Sequence, residues 1–159
     1  MKISFVIPVY NESGNLQQLY TEIVQEINNY AYEMIFIDDG STDESYKILV
    51  ALANHDHNVK IIKLRNNFGK SAALQSGFET VTGDYIFSID SDLQDTPKEI
   101  PRFIKKIEEG YDLVSGWKQK RKDPFIRKIS SYFYNLATSL LFNLRMHDYN
   151  CGFKLYRAQ

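Results

Sequence analysis

Short runs of β-forming residues alternate with helix-spaced apolar stripes along most of this chain, and that alternation restricts the fold more than any single motif does. The extended runs are Ile3–Ile7, Met34–Ile37, Val59–Leu64, the segment after Gly83 that leads to Asp90, and Leu113–Gly116. Between them, Leu16, Leu19, Ile23 and Ile27 recur at helical spacing, as do Ile48, Leu49 and Leu52. A small-residue helix carries Ala72, Ala73, Ser76 and Gly77, and another runs from Pro97 toward Glu109. Pro8 is expected to end the first strand, and Ser13 or Asn15 to cap the first helix. Ser41-Thr42-Asp43-Glu44 has capping-box form and is expected to open the second helix. Connections this short favour right-handed crossovers, so the predicted fold is α/β, a Rossmann-like, mainly parallel sheet covered by helices on both faces. With 159 residues and 43% hydrophobic content, a single domain over 1–159 has enough chain to bury a core.

Ligands of such sheets sit beyond the carboxyl ends of the strands. Polar clusters fall there at Tyr10–Glu12, Asp38–Ser41, Arg65–Lys70 and Asp90–Gln94. The last of these, continuing to Asp95, is the most chemically specific. In an extended segment residues i and i+2 share a side, so Asp90 and Asp92 are expected to converge on one hard cation, with Gln94 or water at a further position. Mg²⁺ and Mn²⁺ prefer oxygen ligands, and Mg²⁺ commonly combines one or two carboxylates with waters and substrate phosphates. A solvated acidic turn ahead of the Pro97 helix would use the same residues. Pro8 to Glu12 offers an aromatic face and polar groups to a base or ribose, or forms a plain turn into a helix. One acid of Asp38-Asp39 is placed to accept from a nucleobase or ribose. Arg65 and Lys70 can neutralise phosphate, with Gly69 allowing close approach ahead of free helix N–H groups. Neither Gly-x-Gly-x-x-Gly nor the complete phosphate loop of nucleoside triphosphatases is present.

A net charge of −1 gives no global attraction to nucleic acid, so an anion must be met by a local patch. The single cysteine, Cys151, excludes an internal disulfide and a Cys-rich metal site. The opening Met1-Lys2-Ile3-Ser4 does not have the form of a signal peptide, and no run of ~18 apolar residues predicts a membrane span. After Gly116 a basic loop, Trp117 to Asp123, precedes a predicted helix from Pro124 to Leu144 with an apolar stripe over Ile126, Ile129, Phe133, Leu136, Leu140 and Leu144. Arg127 and Lys128 fall in its first turn, where cations gain nothing from the helix dipole, and are expected to face an anion. The chain closes on His147 to Arg157, a turn into an expected last strand, and a continuation beyond Gln159 is expected.

Taken in order, Phe5-Val6-Ile7-Pro8-Val9-Tyr10-Asn11-Glu12, Asp38-Asp39-Gly40-Ser41-Thr42-Asp43, Asn67-Phe68-Gly69-Lys70-Ser71-Ala72-Ala73 and Asp90-Ser91-Asp92-Leu93-Gln94-Asp95 resemble the motifs of family 2 glycosyltransferases with the GT-A fold. The later segment, Gly116-Trp117-Lys118 through Arg127-Lys128 to Asp148-Tyr149-Asn150-Cys151-Gly152-Phe153-Lys154, resembles the branch that transfers sugars to polyprenyl or dolichol phosphate. The resemblance implies that Pro8, Tyr10, Glu12, Asp39, Lys70 and Asp90 hold a UDP- or GDP-sugar. It also implies that Asp90, Asp92 and Gln94 bind Mg²⁺ or Mn²⁺ against the diphosphate, and that the sugar is transferred with inversion. Lys118, Arg121, Arg127 and Lys128 would meet a polyprenyl phosphate acceptor, with Asp92, Arg127 and Asp148 as catalytic residues. Such an enzyme would work at the cytoplasmic face of a membrane with peripheral contact, and without nucleic acid as a partner.

Other classes share parts of this pattern. Transfer to a saccharide hydroxyl, or a sugar-nucleotide-binding module without turnover, would use the same donor residues. Haloacid-dehalogenase-like phosphatases also carry Asp-x-Asp, but here Gln94 replaces their Thr or Val and the motif follows the fourth strand instead of the first.

Overall fold

The structure, a computed structural model, describes residues 1–117 and 151–158. In chain order these residues form β1 (Lys2–Val9), α1 (Leu16–Glu26), β2 (Ala31–Asp38), α2 (Ser45–His55), β3 (Val59–Lys63), α3 (Lys70–Phe78), β4 (Tyr85–Ser88), α4 (Ile100–Glu108), β5 (Leu113–Ser115) and β6 (Lys154–Arg157). The sheet runs β3-β2-β1-β4-β6-β5. β1 pairs in parallel with both β2 and β4, and β2 with β3, whereas β6 lies antiparallel between β4 and β5. Construction therefore moves outward from β1 to β3 and then resumes on the opposite side with β4. The order reverses between β1 and β4, the place where open sheets of this type leave a crevice.

Period-two alternation sorts the strands onto two cores. Ile3, Phe5, Ile7, Met34 and Phe36 are fully buried against Leu16, Leu19 and Ile23 of α1, Leu49 of α2, and Ile104 and Ile107 of α4. The opposite face buries Val6, Ile35 and Ile37 under Ala73 of α3. That helix sits unusually close, because a β-carbon on Gly77 would lie 2.5 Å from Val6 Cγ1. Aromatic rings join β6 to the first core: Phe87 stacks on Phe5 at 5.3 Å and on Phe153 at 5.5 Å.

Three local expectations need correction. Pro8 does not end β1, which continues to Val9 with Pro8 in register with Ile37 of β2. Its backbone turns toward β4, which has already ended at Ser88, so the missing N–H leaves no ladder acceptor unsatisfied. Neither Ser13 nor Asn15 caps α1 through its side chain; Asn15 Nδ2 instead donates to Glu12 Oε2 at 2.6 Å. The capping box does not form either, since α2 begins at Ser45 and its start is held by Asp43, which accepts from the Ser45 N–H at 2.9 Å and the Ser13 N–H at 3.2 Å. The predicted helix over 124–144 lies outside the described residues.

Candidate active site

The carboxyl ends of β1, β2, β3 and β4 open on one edge of the sheet, and backbone contacts tie their exits together. Asn11, just past β1, takes a left-handed conformation at φ 56. There its N–H donates to Ser41 Oγ at 3.0 Å while its Oδ1 accepts from the Thr42 N–H at 2.8 Å. Gly40, at φ 71, lets the loop after β3 press against the exit of β2, since a β-carbon there would lie 2.6 Å from the Asn66 carbonyl carbon.

Asp39 is buried, and its two oxygens accept from the backbone N–H groups of Phe68 at 2.8 Å and Gly69 at 2.9 Å. This carboxylate therefore fixes the loop that delivers Lys70 to the start of α3. Its neighbour Asp38 is fully buried, with Oδ1 accepting from the Ser41 N–H at 3.0 Å and Oδ2 without a hydrogen-bond partner among the described residues.

The acidic segment reaches the same edge by a different geometry from the one predicted. β4 ends at Ser88, and Ser91-Asp92 form a turn followed by Leu93 at φ 57. Asp90 and Asp92 thus enter one cleft through a turn, not through strand alternation. Ser91 Oγ anchors that turn by donating to the Pro8 carbonyl at 2.9 Å, and Asp92 Oδ1 accepts from the Gln94 N–H at 3.0 Å. Asp90 Oδ1 meets the ammonium of Lys70 at 2.5 Å.

The resulting cleft encloses about 310 Å³ at the β1/β4 reversal. Pro8, Tyr10, Glu12, Asp39, Lys70 and Asp90 all line it, together with Asp92, Asn67 and Gly69. Tyr10 keeps 45% of its surface exposed, leaving a ring face open to a planar ligand. Gln94 does not line this cleft. It borders a second cavity of about 770 Å³ with Asp95, Thr96, Phe103, Trp117 and Phe153. Arg65 is exposed and lines neither. Lys118, Arg121, Arg127, Lys128 and Asp148 lie outside the described residues.

The donor set suits a divalent cation that takes part of its shell from a substrate. Among the described residues no group of three or more His, Cys, Asp or Glu forms a closed cage. Two carboxylates on an open cleft, one already holding the Lys70 ammonium as a stand-in cation, match the sparse protein ligation that Mg²⁺ tolerates. Two contributors were not legible in the sequence. Ser91 looked like a spacer between acids, and the contact of Asp39 with the Phe68-Gly69 amides joins segments 30 residues apart.

Known proteins resemble this chain in sequence and in architecture. The description "Glycosyl transferase family 2" matches residues 4–159. An undecaprenyl-phosphate 4-deoxy-4-formamido-L-arabinose transferase of Yersinia pestis (strain Pestoides F) is 41% identical over 159 residues, covering 98% of this chain and 49% of the relative. The chain thus spans about half the length of the curated relatives it matches. In three dimensions, glucosyl-3-phosphoglycerate synthase from Mycobacterium tuberculosis with uridine diphosphate superposes with a TM-score of 0.74 at 20% identity, over 98% of this chain and 56% of the other. A mannosyltransferase from Pyrobaculum calidifontis in complex with GDP-Man and Mn²⁺ gives 0.71 at 18% identity, over 98% and 44%. These likenesses make the sheet a GT-A fold, and with a family match that runs from within β1 to the last residue, the chain belongs to glycosyl transferase family 2.

Proposed function

We propose that this chain carries the donor site of a glycosyltransferase that moves a sugar from a nucleoside diphosphate to a polyprenyl phosphate. The observation that carries this reading is the entry of Asp90 and Asp92 into the cleft that Tyr10, Asp39 and Lys70 also line. The name of the Yersinia relative, an undecaprenyl-phosphate transferase, supports the acceptor class.

In this mechanism the Tyr10 ring receives the base and Asp39 holds the loop that places the N–H groups of α3 and the Lys70 ammonium near the diphosphate. Asp90 and Asp92, without Gln94, which borders the other cavity, would hold Mg²⁺ or Mn²⁺, and the ion would supply positive charge against the diphosphate as it leaves. An acceptor phosphate oxygen forms a bond to the anomeric carbon as the sugar–diphosphate bond breaks, inverting that centre. The acceptor is already ionised and needs no general base. Lys118, Arg121, Arg127 and Lys128 would bind its phosphate, with Arg127 and Asp148 completing the catalytic set. No described helix is long and apolar enough to cross a membrane. We assign the reaction to the cytoplasmic face of the membrane, with peripheral contact through the stripe from Ile126 to Leu144.

The test is a panel of UDP- and GDP-sugars, with and without polyprenyl phosphate and divalent metal, scored for nucleoside diphosphate release. Release that requires both metal and lipid phosphate is expected. Turnover on a saccharide hydroxyl instead would reassign the acceptor, and tight donor binding without release under any condition would reduce the chain to a binding module.

A further inference from the structure

Lys70 is the first residue of α3, where its ammonium faces the positive end of the helix and gains nothing from the dipole. Its Nζ crosses the cleft to Asp90 Oδ1 at 2.5 Å, with the lysine side chain 49% exposed and the aspartate 23%. The two partners differ in freedom. Asp90 is backed by Gly152 so closely that a β-carbon there would lie 2.5 Å from Oδ2. Lys70 ends a flexible four-carbon stem that is free to swing within the cleft. A single positive charge therefore occupies one of the two carboxylates that a divalent ion would use, while Asp92 makes no ion pair among the described residues.

Resting on the donor reading above, we infer that Lys70 is an exchangeable counter-ion. It neutralises Asp90 in the donor-free protein and transfers to the donor's diphosphate when a divalent cation takes its place on Asp90. The cation and the diphosphate then assist one another. The diphosphate draws the lysine away from the carboxylate the metal needs, and the metal frees the lysine for the diphosphate. Lys70 is thus a positioning residue that couples two ligands by charge exchange, and the coupling is reciprocal in the two affinities.

The exchange is tested by Mn²⁺ titration monitored by electron paramagnetic resonance, on wild type, Lys70→Met, Lys70→Arg and Lys70→Met/Asp90→Asn, with and without UDP or GDP. Without nucleotide, Lys70→Met is expected to bind Mn²⁺ about fivefold more tightly, the size of a half-exposed ion pair removed. Lys70→Arg should stay near wild type, and the added Asp90→Asn should abolish the gain. The factor by which saturating nucleoside diphosphate tightens Mn²⁺ binding should fall by about the same fivefold in Lys70→Met. Circular dichroism and thermal melts verify that each variant is folded. Unchanged or weaker Mn²⁺ binding by folded Lys70→Met, or no Mn²⁺ binding by either protein, overturns the inference. A fivefold gain in a protein that transfers no sugar in the panel above would leave the exchange standing and overturn the transferase reading.

Discussion

Gly152 forms the back wall for the Asp90 carboxylate: a β-carbon on Gly152 would lie 2.5 Å from Asp90 Oδ2 and 2.7 Å from Oδ1. Ser88 Oγ fixes this wall by donating to the Gly152 carbonyl at 2.7 Å, just before β6 pairs with β4. A residue remote in sequence therefore sets the position of the first acid. Gly152→Ala is expected to lower metal-dependent nucleoside diphosphate release about 100-fold, as ångström-scale misplacement of a reacting group does. Kinetics beside a thermal melt check this, and the melt should move little.

Asp39→Asn tests the clamp on the loop before α3. The new amide N–H₂ would face a backbone N–H of Phe68 or Gly69, leaving a buried donor unpaired at a cost of about 1–3 kcal/mol. Hydrogen exchange at residues 67–70 should accelerate, and nucleoside diphosphate affinity should fall with it. Unaltered exchange with lost affinity would assign Asp39 to the ligand alone.

Tyr10→Ala should weaken UDP and GDP binding about tenfold or more, since base stacking on an aromatic ring is worth about 1–3 kcal/mol. Tyr10→Phe keeps the ring and should keep the affinity. Calorimetric titration of both variants separates the ring from the hydroxyl.

Much of this arrangement was readable from side-chain pattern alone. The alternation of Ile3, Phe5 and Ile7 against Val6, and the helical spacing of Leu16, Leu19 and Ile23, are local statements about which face is apolar, and the structure buries those faces. Every residue assigned to the sugar nucleotide lines the cleft because each falls at or after the carboxyl end of a strand, Lys70 at the start of the helix that follows β3, and parallel strands bring those ends to one edge. What escaped were relations between segments. The left-handed Leu93 that turns Asp92 into the cleft has no glycine or asparagine to announce it. The separation of Gln94 from Asp90 follows from that same turn. In place of the capping box, Ser41 Oγ accepts from the Asn11 N–H and Asp43 accepts from the Ser45 and Ser13 N–H groups; the contacts to Asn11 and Ser13 are with another loop that a local rule does not see.

Stability should depend on Glu33, at the opposite end of the sheet. Its side chain is 2% exposed, with Oε2 2.7 Å from Lys60 Nζ and 3.2 Å from Lys2 Nζ, while Oε1 accepts from Ser4 Oγ at 2.6 Å and the Thr82 N–H at 2.7 Å. Burial alone would raise this carboxyl, but donation from Lys60, Ser4 and Thr82 outweighs it and brings the pKa from the usual 4.5 down to about 2. A folded value below the unfolded one stabilises the protein above pH 4.5, and the contribution of about 2–3 kcal/mol is lost as pH falls toward 2. Urea denaturation of Glu33→Gln should show that deficit at pH 7 and a shrinking one below pH 4.5. A deficit independent of pH would contradict the charge-based origin.

The most direct measurement is an anomalous diffraction map from crystals grown with Mn²⁺ and UDP or GDP. A Mn²⁺ peak bridging the diphosphate to Asp90 and Asp92, with Lys70 Nζ moved from Asp90 onto a phosphate oxygen, is the predicted result. A peak away from both carboxylates, or a nucleotide bound outside the β1/β4 cleft, would contradict the account.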